Sequence, residues 1–223
     1  MHPISKQQIV FIHGRGPKPN KTDLQHLWTE ALAAGLQRDL PKKLASFRNA
    51  EIHMVYYADK LRDASNTNFD EGLDLDNRRQ VLDELSKLTK AKDFRRKNYD
   101  VLPGKTALKE FAMDLSASIG LGRPALKKAM PELHQYWRDE DGWASNLRRD
   151  VTSLLADLRS HDQNILIISH CMGSVLAWDA LWALTRGEAN QQEEFKRITR
   201  WITIGSPLGD RAVQSRLSGH GQQ

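Results

Sequence analysis

Short uninterrupted apolar runs alternate along the chain with longer segments whose apolar residues recur every three or four positions. A short uninterrupted run predicts a strand that is covered on both faces, as in a parallel sheet. One such strand is predicted at QQIVFI (7–12), and three further strands are predicted at EIHMVYYA (51–58), NILIIS (164–169) and RWITIG (200–205). Strands that alternate with helices indicate the α/β class, with a mostly parallel sheet flanked by helices.

The segments with recurring apolar residues predict helices. The long ones cover TDLQHLWTEALAAGLQRDL (22–40), DGWASNLRRDVTSLLADLRS (141–160) and GSVLAWDALWAL (173–184). The first two carry one apolar stripe each, whereas the third is nearly all apolar and is predicted to be buried. Thr22 and Gln25 have the spacing of a capping box, and Pro41 is predicted to end the first helix.

The amino-acid composition changes between about 60 and 140. This segment is charged, rich in Asn and Asp, and interrupted by Gly and Pro, with helical pieces such as RRQVLDELSKL (78–88). Its apolar content is too thin for a separate core. We therefore interpret residues 1–223 as a single domain with a helical, lid-like insertion at about 60–140.

Composition narrows the class of protein. Hydrophobic residues make up 39% and charged residues 27% of the 223-residue chain. No apolar run approaches the roughly 18 residues of a membrane-spanning helix, and MHPISKQQIV lacks the apolar core of a secretory signal. A single cysteine cannot form an internal disulfide, which is typical of a reducing compartment. These features predict a cytoplasmic protein without a transmembrane segment.

Positive charge is concentrated in residues 87–109, which hold eight Lys or Arg and two Asp within a chain of net charge +5. Such a run is typical of a solvated insertion, and it is also able to contact phosphate, an acidic partner or an anionic lipid surface. Aromatic residues at the spacing that stacks RNA bases are absent. The sequence therefore predicts no specific nucleic-acid partner.

The candidate chemistry lies where the strand at 164–169 meets the helix at 173–184. The junction is a small polar turn, SHCMGS, with the only cysteine, Cys171, at its centre. In open α/β folds ligands bind at this edge of the sheet, and the amino end of a helix favours an anion such as a thiolate. So tight a turn needs small residues two positions away on both sides, as Ser169 and Gly173 are. We expect Cys171 at the tip of an elbow, with its thiol exposed to incoming carbonyl compounds.

These motifs resemble the α/β-hydrolase superfamily. SHCMG (169–173) resembles its G-x-S-x-G nucleophile elbow, with Ser in place of the first Gly and Cys in place of the nucleophilic Ser. His13-Gly14 resembles its H-G oxyanion loop, and ITIGSPLG (202–209) resembles the strand after the elbow helix in lipase- and esterase-like members. The order of elements agrees over about 1–60 and 140–210.

The resemblance implies a three-layer hydrolase whose insertion is a lid. It implies Cys171 as the nucleophile, the Met172 backbone N–H as one oxyanion donor, and the backbone at Gly14 or Arg15 as the second. His13 is expected to fix the backbone of its loop by hydrogen bonding.

Two features depart from the family pattern. A cysteine nucleophile also occurs in the similar dienelactone hydrolases, so Cys171 fits a natural cysteine hydrolase, a serine enzyme with an exchanged residue, or a degenerate site. The superfamily places its acid and histidine after the nucleophile, where His220 is the only histidine. His220 is a candidate base or part of a flexible tail, and Asp210 is a candidate acid or a helix cap.

The sequence thus predicts a hydrolase that cleaves carboxylic esters or related acyl bonds of a small molecule through a covalent intermediate. No metal is predicted, because the chain lacks H-x-x-x-H, C-x-x-C and carboxylate clusters at ligand spacing, and no cofactor is predicted. The alternative is a catalytically impaired or truncated α/β-hydrolase-like protein that acts as a binding or regulatory module.

Overall fold

The structure is a computed structural model that describes residues 7–16, 18–61, 71–87, 130–160, 164–186 and 198–220. The described residues belong to two compact units. The sheet unit contains 7–16, 51–61, 130–160, 164–186 and 198–220, and the helical unit contains 18–50 and 71–87. The chain therefore passes back and forth between the units, so that neither is one continuous segment.

The helical unit is built from three helices: α1 (Lys21–Asp39), α2 (Pro41–Arg48) and α3 (Glu71–Ser86). Helix α1 contacts both α2 and α3. It buries Leu24, Leu27 and Ala33. The predicted long helix at 22–40 is confirmed, although only part of its apolar stripe is buried.

The ends of α1 differ from the prediction in two ways. The N-cap is Asn20, whose side chain accepts a hydrogen bond from the backbone N–H of Asp23 over 3.0 Å, so the predicted capping box at Thr22 is wrong. Pro41 does follow the end of α1, but it is also the first residue of α2. Proline suits a first helical position because the N–H that it lacks has no acceptor there.

The sheet unit contains four parallel strands: β1 (Gln8–Ile12), β2 (Glu51–Val55), β3 (Ile165–His170) and β4 (Ile198–Ile204). Their order across the sheet is β2-β1-β3-β4. All four predicted strands are present, each within a few residues of its predicted bounds. The predicted α/β class with a parallel sheet is confirmed.

Burial is uneven across the sheet. Every residue of the inner strand β1 is buried, which explains its uninterrupted apolar sequence. The edge strand β4 is mostly exposed, and Ile202 and Ile204 leave 45% and 48% of their surface open. The buried centre of the sheet is therefore β1 and β3.

Four helices and one 3-10 turn complete the sheet unit: α4 (Pro131–Arg138), α5 (Trp143–Ser160), α6 (Met172–Thr185), the 3-10 turn Pro207–Gly209 and α7 (Arg211–Gln214). Helix α6 contacts β1, β3 and α5. Nine of its residues are buried, which confirms the prediction of a buried helix. In the part of the chain that the structure describes, every helix is too short or too polar to cross a bilayer.

The predicted insertion at about 60–140 is described only in part. Helices α3 and α4 lie within it, whereas residues 62–70 and 88–129 lie outside the described residues. Of the basic run at 87–109, only Lys87 is described. The insertion's lid role and the contact of the basic run with an anionic partner stay predictions.

The strand order places a topological switch point between β1 and β3. From β1 the chain goes on to β2 on one side of the sheet, and from β3 it goes on to β4 on the other. In open α/β sheets, connections that diverge in this way leave a crevice at the carboxyl ends of the two strands. The residues that follow β1 and β3 therefore occupy the place where such folds bind ligands.

Candidate active site

Cys171 forms the whole connection between β3 and α6, since it follows His170 and precedes Met172 directly. Its backbone has φ 50° and ψ −122°, a region that L-residues rarely adopt and that persists only where surrounding contacts hold it. The N–H of Cys171 donates to the carbonyl oxygen of Ile204 over 2.9 Å, and its carbonyl oxygen accepts from the Ser174 N–H over 2.9 Å. The turn between strand and helix is thus as sharp as the sequence predicts.

Small residues beside the turn allow this conformation. A Cβ atom on Gly173 would lie 2.4 Å from the carbonyl oxygen of His13 and 2.5 Å from that of Ile12. The hydroxyl of Ser169 accepts from the indole N–H of Trp201 over 2.8 Å and donates to Ser174 Oγ over 3.2 Å. The first turn of α6 consequently lies directly against the end of β1.

The loop after β1 reaches the elbow at Gly14. A Cβ atom there would lie 2.9 Å from Cβ of Cys171 and 2.6 Å from Nδ1 of His170. Met172 is the first residue of α6, so its N–H has no acceptor within the helix. The structure brings together Cys171, Met172 and Gly14, three of the residues that the sequence proposes for the site.

His13 holds the loop in place, as predicted. Its Nδ1–H donates to the carbonyl oxygen of Gly14 over 2.7 Å, and its Nε2 accepts from the backbone N–H of Tyr57 over 3.0 Å. An N–H can only donate, so Nε2 is the unprotonated nitrogen and Nδ1 carries the proton. Both ring nitrogens of His13 are therefore used to hold backbone.

Tyr57 is a component of the site that the sequence analysis missed. Its buried ring stacks on the His13 ring with centroids 4.0 Å apart, and its hydroxyl donates to the carbonyl oxygen of His13. Burial above all, and then the charges of Cys171, Tyr136 and Glu132, raise the pKa of the Tyr57 phenol well above its usual range. The phenol is thus protonated, and a hydrogen-bond donor, at neutral pH.

The signal that would have found Tyr57 is the strand pairing. Ile12 at the end of β1 lies opposite Val55 at the end of β2. Residues that follow paired ends of parallel strands meet at one edge of the sheet, so the aromatic pair at 56–57 falls beside His13. Both strands are predicted from the sequence, but their adjacency is not.

Arg15, a predicted oxyanion-loop residue, uses its side chain in an ion pair. Its guanidinium lies 3.5 Å from Oε2 of Glu132 on α4, with 18% and 20% of the two side chains exposed. Glu132 is a second neighbour of the loop that the sequence analysis missed, because it falls in the charged segment assigned to the insertion. The Arg15 side chain is thereby held at α4, whereas its backbone N–H belongs to the peptide group that joins Gly14 to Arg15.

The candidate acid, Asp210, lies at the start of a short helix. Asp210 is the N-cap of α7, where its carboxylate accepts from the N–H groups of Ala212 and Val213 over 2.7 Å and 3.2 Å. This is the helix-cap role that the sequence analysis set beside the catalytic one.

His220 belongs to a segment that is fixed along α6. The N–H of Ser218 donates to Asp179 over 3.1 Å, and its carbonyl oxygen accepts from the Trp178 indole over 3.1 Å. Asp179 lies about 12 Å from Cys171 along the helix, at 1.5 Å per residue. The exposed His220 therefore lies in a segment that is hydrogen-bonded beside Asp179 rather than at the turn of Cys171, and its role as base stays a prediction.

The expectation that the thiol is exposed is also wrong, because Cys171 is buried with 0% of its surface open. The same close contacts that force the turn cover its side chain, as the approach of Gly14 shows. A substrate carbonyl reaches the sulfur only when neighbouring atoms move aside.

The site is defined by local motifs: SHCMG at 169–173 and His13-Gly14. Within the described ranges, His, Cys, Asp and Glu side chains do not gather in any group of three that suits a metal ion. No model of a known protein family, no curated protein and no solved structure matches the chain.

Proposed function

We propose that the chain is a hydrolase of carboxylic esters or related acyl bonds, with an α/β-hydrolase-like architecture and Cys171 as its nucleophile. The observation that carries the proposal is the backbone of Cys171, φ 50° and ψ −122°, between a parallel strand and a buried helix. Strain of this kind clusters at functional sites, where the surrounding structure enforces it. In this architecture the parallel sheet is the middle of three layers, and the segment at about 60–140 is the lid.

The arrangement of donors suits a tetrahedral intermediate. The sulfur of Cys171, as thiolate, attacks the carbonyl carbon, and the carbonyl electron pair moves to oxygen. The Met172 N–H at the amino end of α6 and a loop N–H at Gly14 or Arg15 are the donors for that oxyanion. Collapse of the intermediate expels the alkoxide, which takes a proton from water, and water then hydrolyses the thioester to regenerate the thiol.

Turnover of a nitrophenyl acetate by the wild-type chain, Cys171→Ala and Cys171→Ser tests the proposal. Nitrophenolate leaves without a proton, so the assay does not depend on a general acid. We expect wild type to turn over and to carry a transient acetyl group on Cys171, detected by mass spectrometry of the peptide. Cys171→Ala should fall to the rate of buffer alone.

Thermal unfolding of the three proteins is the control for folding. Equal rates for wild type and a folded Cys171→Ala would dismiss the nucleophile. Activity in Cys171→Ser equal to or above that of wild type would favour a serine enzyme in which this residue was exchanged.

The catalytically impaired binding or regulatory module is the second candidate. It is favoured by the burial of Cys171 and by the capping role of Asp210. In such a protein the basic run at 87–109 is the contact to an anionic partner.

Alkylation of Cys171 by iodoacetamide separates the two candidates. For a module we expect alkylation to be negligible in the native protein and rapid in urea, and no acetyl adduct to form. For the hydrolase we expect alkylation of the native protein, blocked by prior acetylation. A native thiol that reacts as fast as the unfolded one would remove the argument from burial.

A further inference from the structure

We propose that Tyr57 is a positioning residue for the oxyanion loop: together with His13 it fixes the two peptide groups that carry the candidate loop donors, the N–H of Gly14 and the N–H of Arg15. The proposal rests on the proposed function of Cys171. In this mechanism Tyr57 takes part in no bond that forms or breaks. It acts through His13, and its contribution is therefore to geometry rather than to the chemical step.

Three contacts join Tyr57 to His13. The Tyr57 hydroxyl donates to the His13 carbonyl oxygen, the Tyr57 backbone N–H donates to His13 Nε2 over 3.0 Å, and the two rings stack at 4.0 Å with planes 16° apart. Both residues are buried, so water does not replace a lost contact easily. We call this set of contacts the Tyr57–His13 clamp.

The hydroxyl contact of Tyr57 fixes the orientation of the peptide group between His13 and Gly14. The carbonyl of His13 and the N–H of Gly14 belong to the same planar trans peptide and point in opposite directions. Holding the His13 oxygen on the Tyr57 side therefore fixes the direction of the Gly14 N–H. Gly14 is also the residue that lies against Cys171, where an added Cβ would come within 2.9 Å of the cysteine Cβ.

The backbone N–H contact of Tyr57 fixes the orientation of the peptide group between Gly14 and Arg15. Because the Tyr57 N–H occupies His13 Nε2, the proton of the ring is on Nδ1, which donates to the carbonyl oxygen of Gly14 over 2.7 Å. That carbonyl shares a peptide plane with the Arg15 N–H, so the direction of this N–H is fixed as well. One tyrosine thus orients both candidate loop donors.

Burial keeps the phenol of Tyr57 protonated, since it raises the pKa of that group well above its usual range. The Tyr57 hydroxyl therefore remains a hydrogen-bond donor at neutral pH. A phenylalanine at this position keeps the ring stack and the backbone N–H and removes only the hydroxyl.

Tyr57→Phe should separate the oxyanion step from attack by sulfur. A short aliphatic aldehyde adds the thiol to form a hemithioacetal, whose oxygen needs the oxyanion donors, whereas alkylation by iodoacetamide displaces iodide and needs none. We expect Tyr57→Phe to lower kcat for nitrophenyl acetate about 10- to 100-fold and to weaken aldehyde inhibition by a similar factor, somewhat less than outright loss of a donor. We expect KM and the alkylation rate to stay within about twofold, because the nucleophile and ground-state binding are unchanged.

Tyr136→Phe is the matched control. Tyr136 is likewise buried and likewise donates one hydroxyl hydrogen bond, but to Asp179 on α6. Its loss should lower the unfolding midpoint by a similar amount and leave kcat and aldehyde inhibition unchanged. A purely structural role for Tyr57 would make the two variants behave alike.

The outcomes separate this proposal from the proposed function. A wild type that neither hydrolyses the ester nor binds the aldehyde overturns both. An active wild type with an equally active Tyr57→Phe overturns the clamp alone. Amide hydrogen exchange at Tyr57 in the wild-type protein tests the clamp without a variant: protection is expected, and exchange at the rate of an unstructured chain overturns it even if Tyr57→Phe fails to fold.

Discussion

Replacing Gly173 by alanine is expected to destabilise the protein by about 3 kcal/mol, although alanine is the better helix former. Gly173 is the second residue of α6. A Cβ atom there would lie 2.4 Å from the carbonyl oxygen of His13 and 2.5 Å from that of Ile12. Both neighbours are backbone atoms of the buried end of β1, so neither can move aside by changing a rotamer.

The same substitution should remove ester hydrolysis. To make room for the methyl group, the first turn of α6 must withdraw from the loop after β1 and carry the Met172 N–H with it. Displacement of a catalytic group by about 1 Å is enough to lower a rate roughly 100-fold. We expect Gly173→Ala to lose at least that factor at temperatures where it is still folded.

Gly35→Ala is the control, measured by urea unfolding with tryptophan fluorescence. Gly35 lies within α1, and a Cβ atom there meets nothing within 4 Å. The change should therefore stabilise the protein by about 0.5 to 1 kcal/mol. A Gly173→Ala protein with the midpoint of wild type would show that α6 does not lie as close to β1 as described.

The sharp turn at Cys171 was predictable because its cause is local. Only small residues fit two positions before and two positions after Cys171, and the sequence has Ser169 and Gly173 at these positions. The strands were predictable for a related reason. Strand β1 is buried along its whole length, and a short uninterrupted apolar run is typical of a strand that is covered on both faces. Burial on both faces of a strand is visible in the sequence as an uninterrupted apolar run.

The short helices were not predicted, because two turns leave little periodicity to find. Helices α2 and α4 each have eight residues and each begin with proline, Pro41 and Pro131. A proline marks the start of a helix as well as the end of one. At Pro41 only the end of a helix is predicted from the sequence.

The surroundings of the thiol depend on contacts that are distant in sequence. Burial of Cys171 follows from the approach of Gly14, which is set by the pairing of β1 with β3. The position of His220 follows from hydrogen bonds of Ser218 to Asp179 and Trp178. A Ser-Gly-His-Gly sequence gives no sign of such partners, so its composition suggested a tail.

Asp179→Ala is expected to destabilise the protein by about 3 kcal/mol, the upper range for hydrogen bonds to a charged group. The carboxylate is buried. It accepts from the Tyr136 hydroxyl over 2.8 Å and from the Ser218 N–H over 3.1 Å. It therefore joins α4, α6 and the segment at 215–220, and its removal leaves two donors without that acceptor.

Asp150→Ala on the exposed face of α5 is the control and should change stability by less than about 0.5 kcal/mol. Asp179 lies about 12 Å along α6 from the nucleophile position at a rise of 1.5 Å per residue. Ester hydrolysis per folded Asp179→Ala molecule should therefore equal that of wild type. A loss of activity in the folded variant would mean that the 215–220 segment contributes to the site after all.

A double-mutant cycle with Tyr136→Phe identifies the source of the loss. If the hydrogen bond from the Tyr136 hydroxyl to the Asp179 carboxylate accounts for the loss of stability, the effects of the two substitutions are less than additive. The expected coupling energy is about 1 to 2 kcal/mol. Burial, and then the Asp179 carboxylate, raise the pKa of the Tyr136 phenol, so the hydroxyl stays a donor throughout the neutral range. The Arg148 guanidinium lies 5.0 Å from the centre of the Tyr136 ring and is present in every variant, so its charge does not change across the cycle. Additive effects would assign the stability to the Ser218 N–H instead, and amide exchange at Ser218 would then rise in Asp179→Ala but not in Tyr136→Phe.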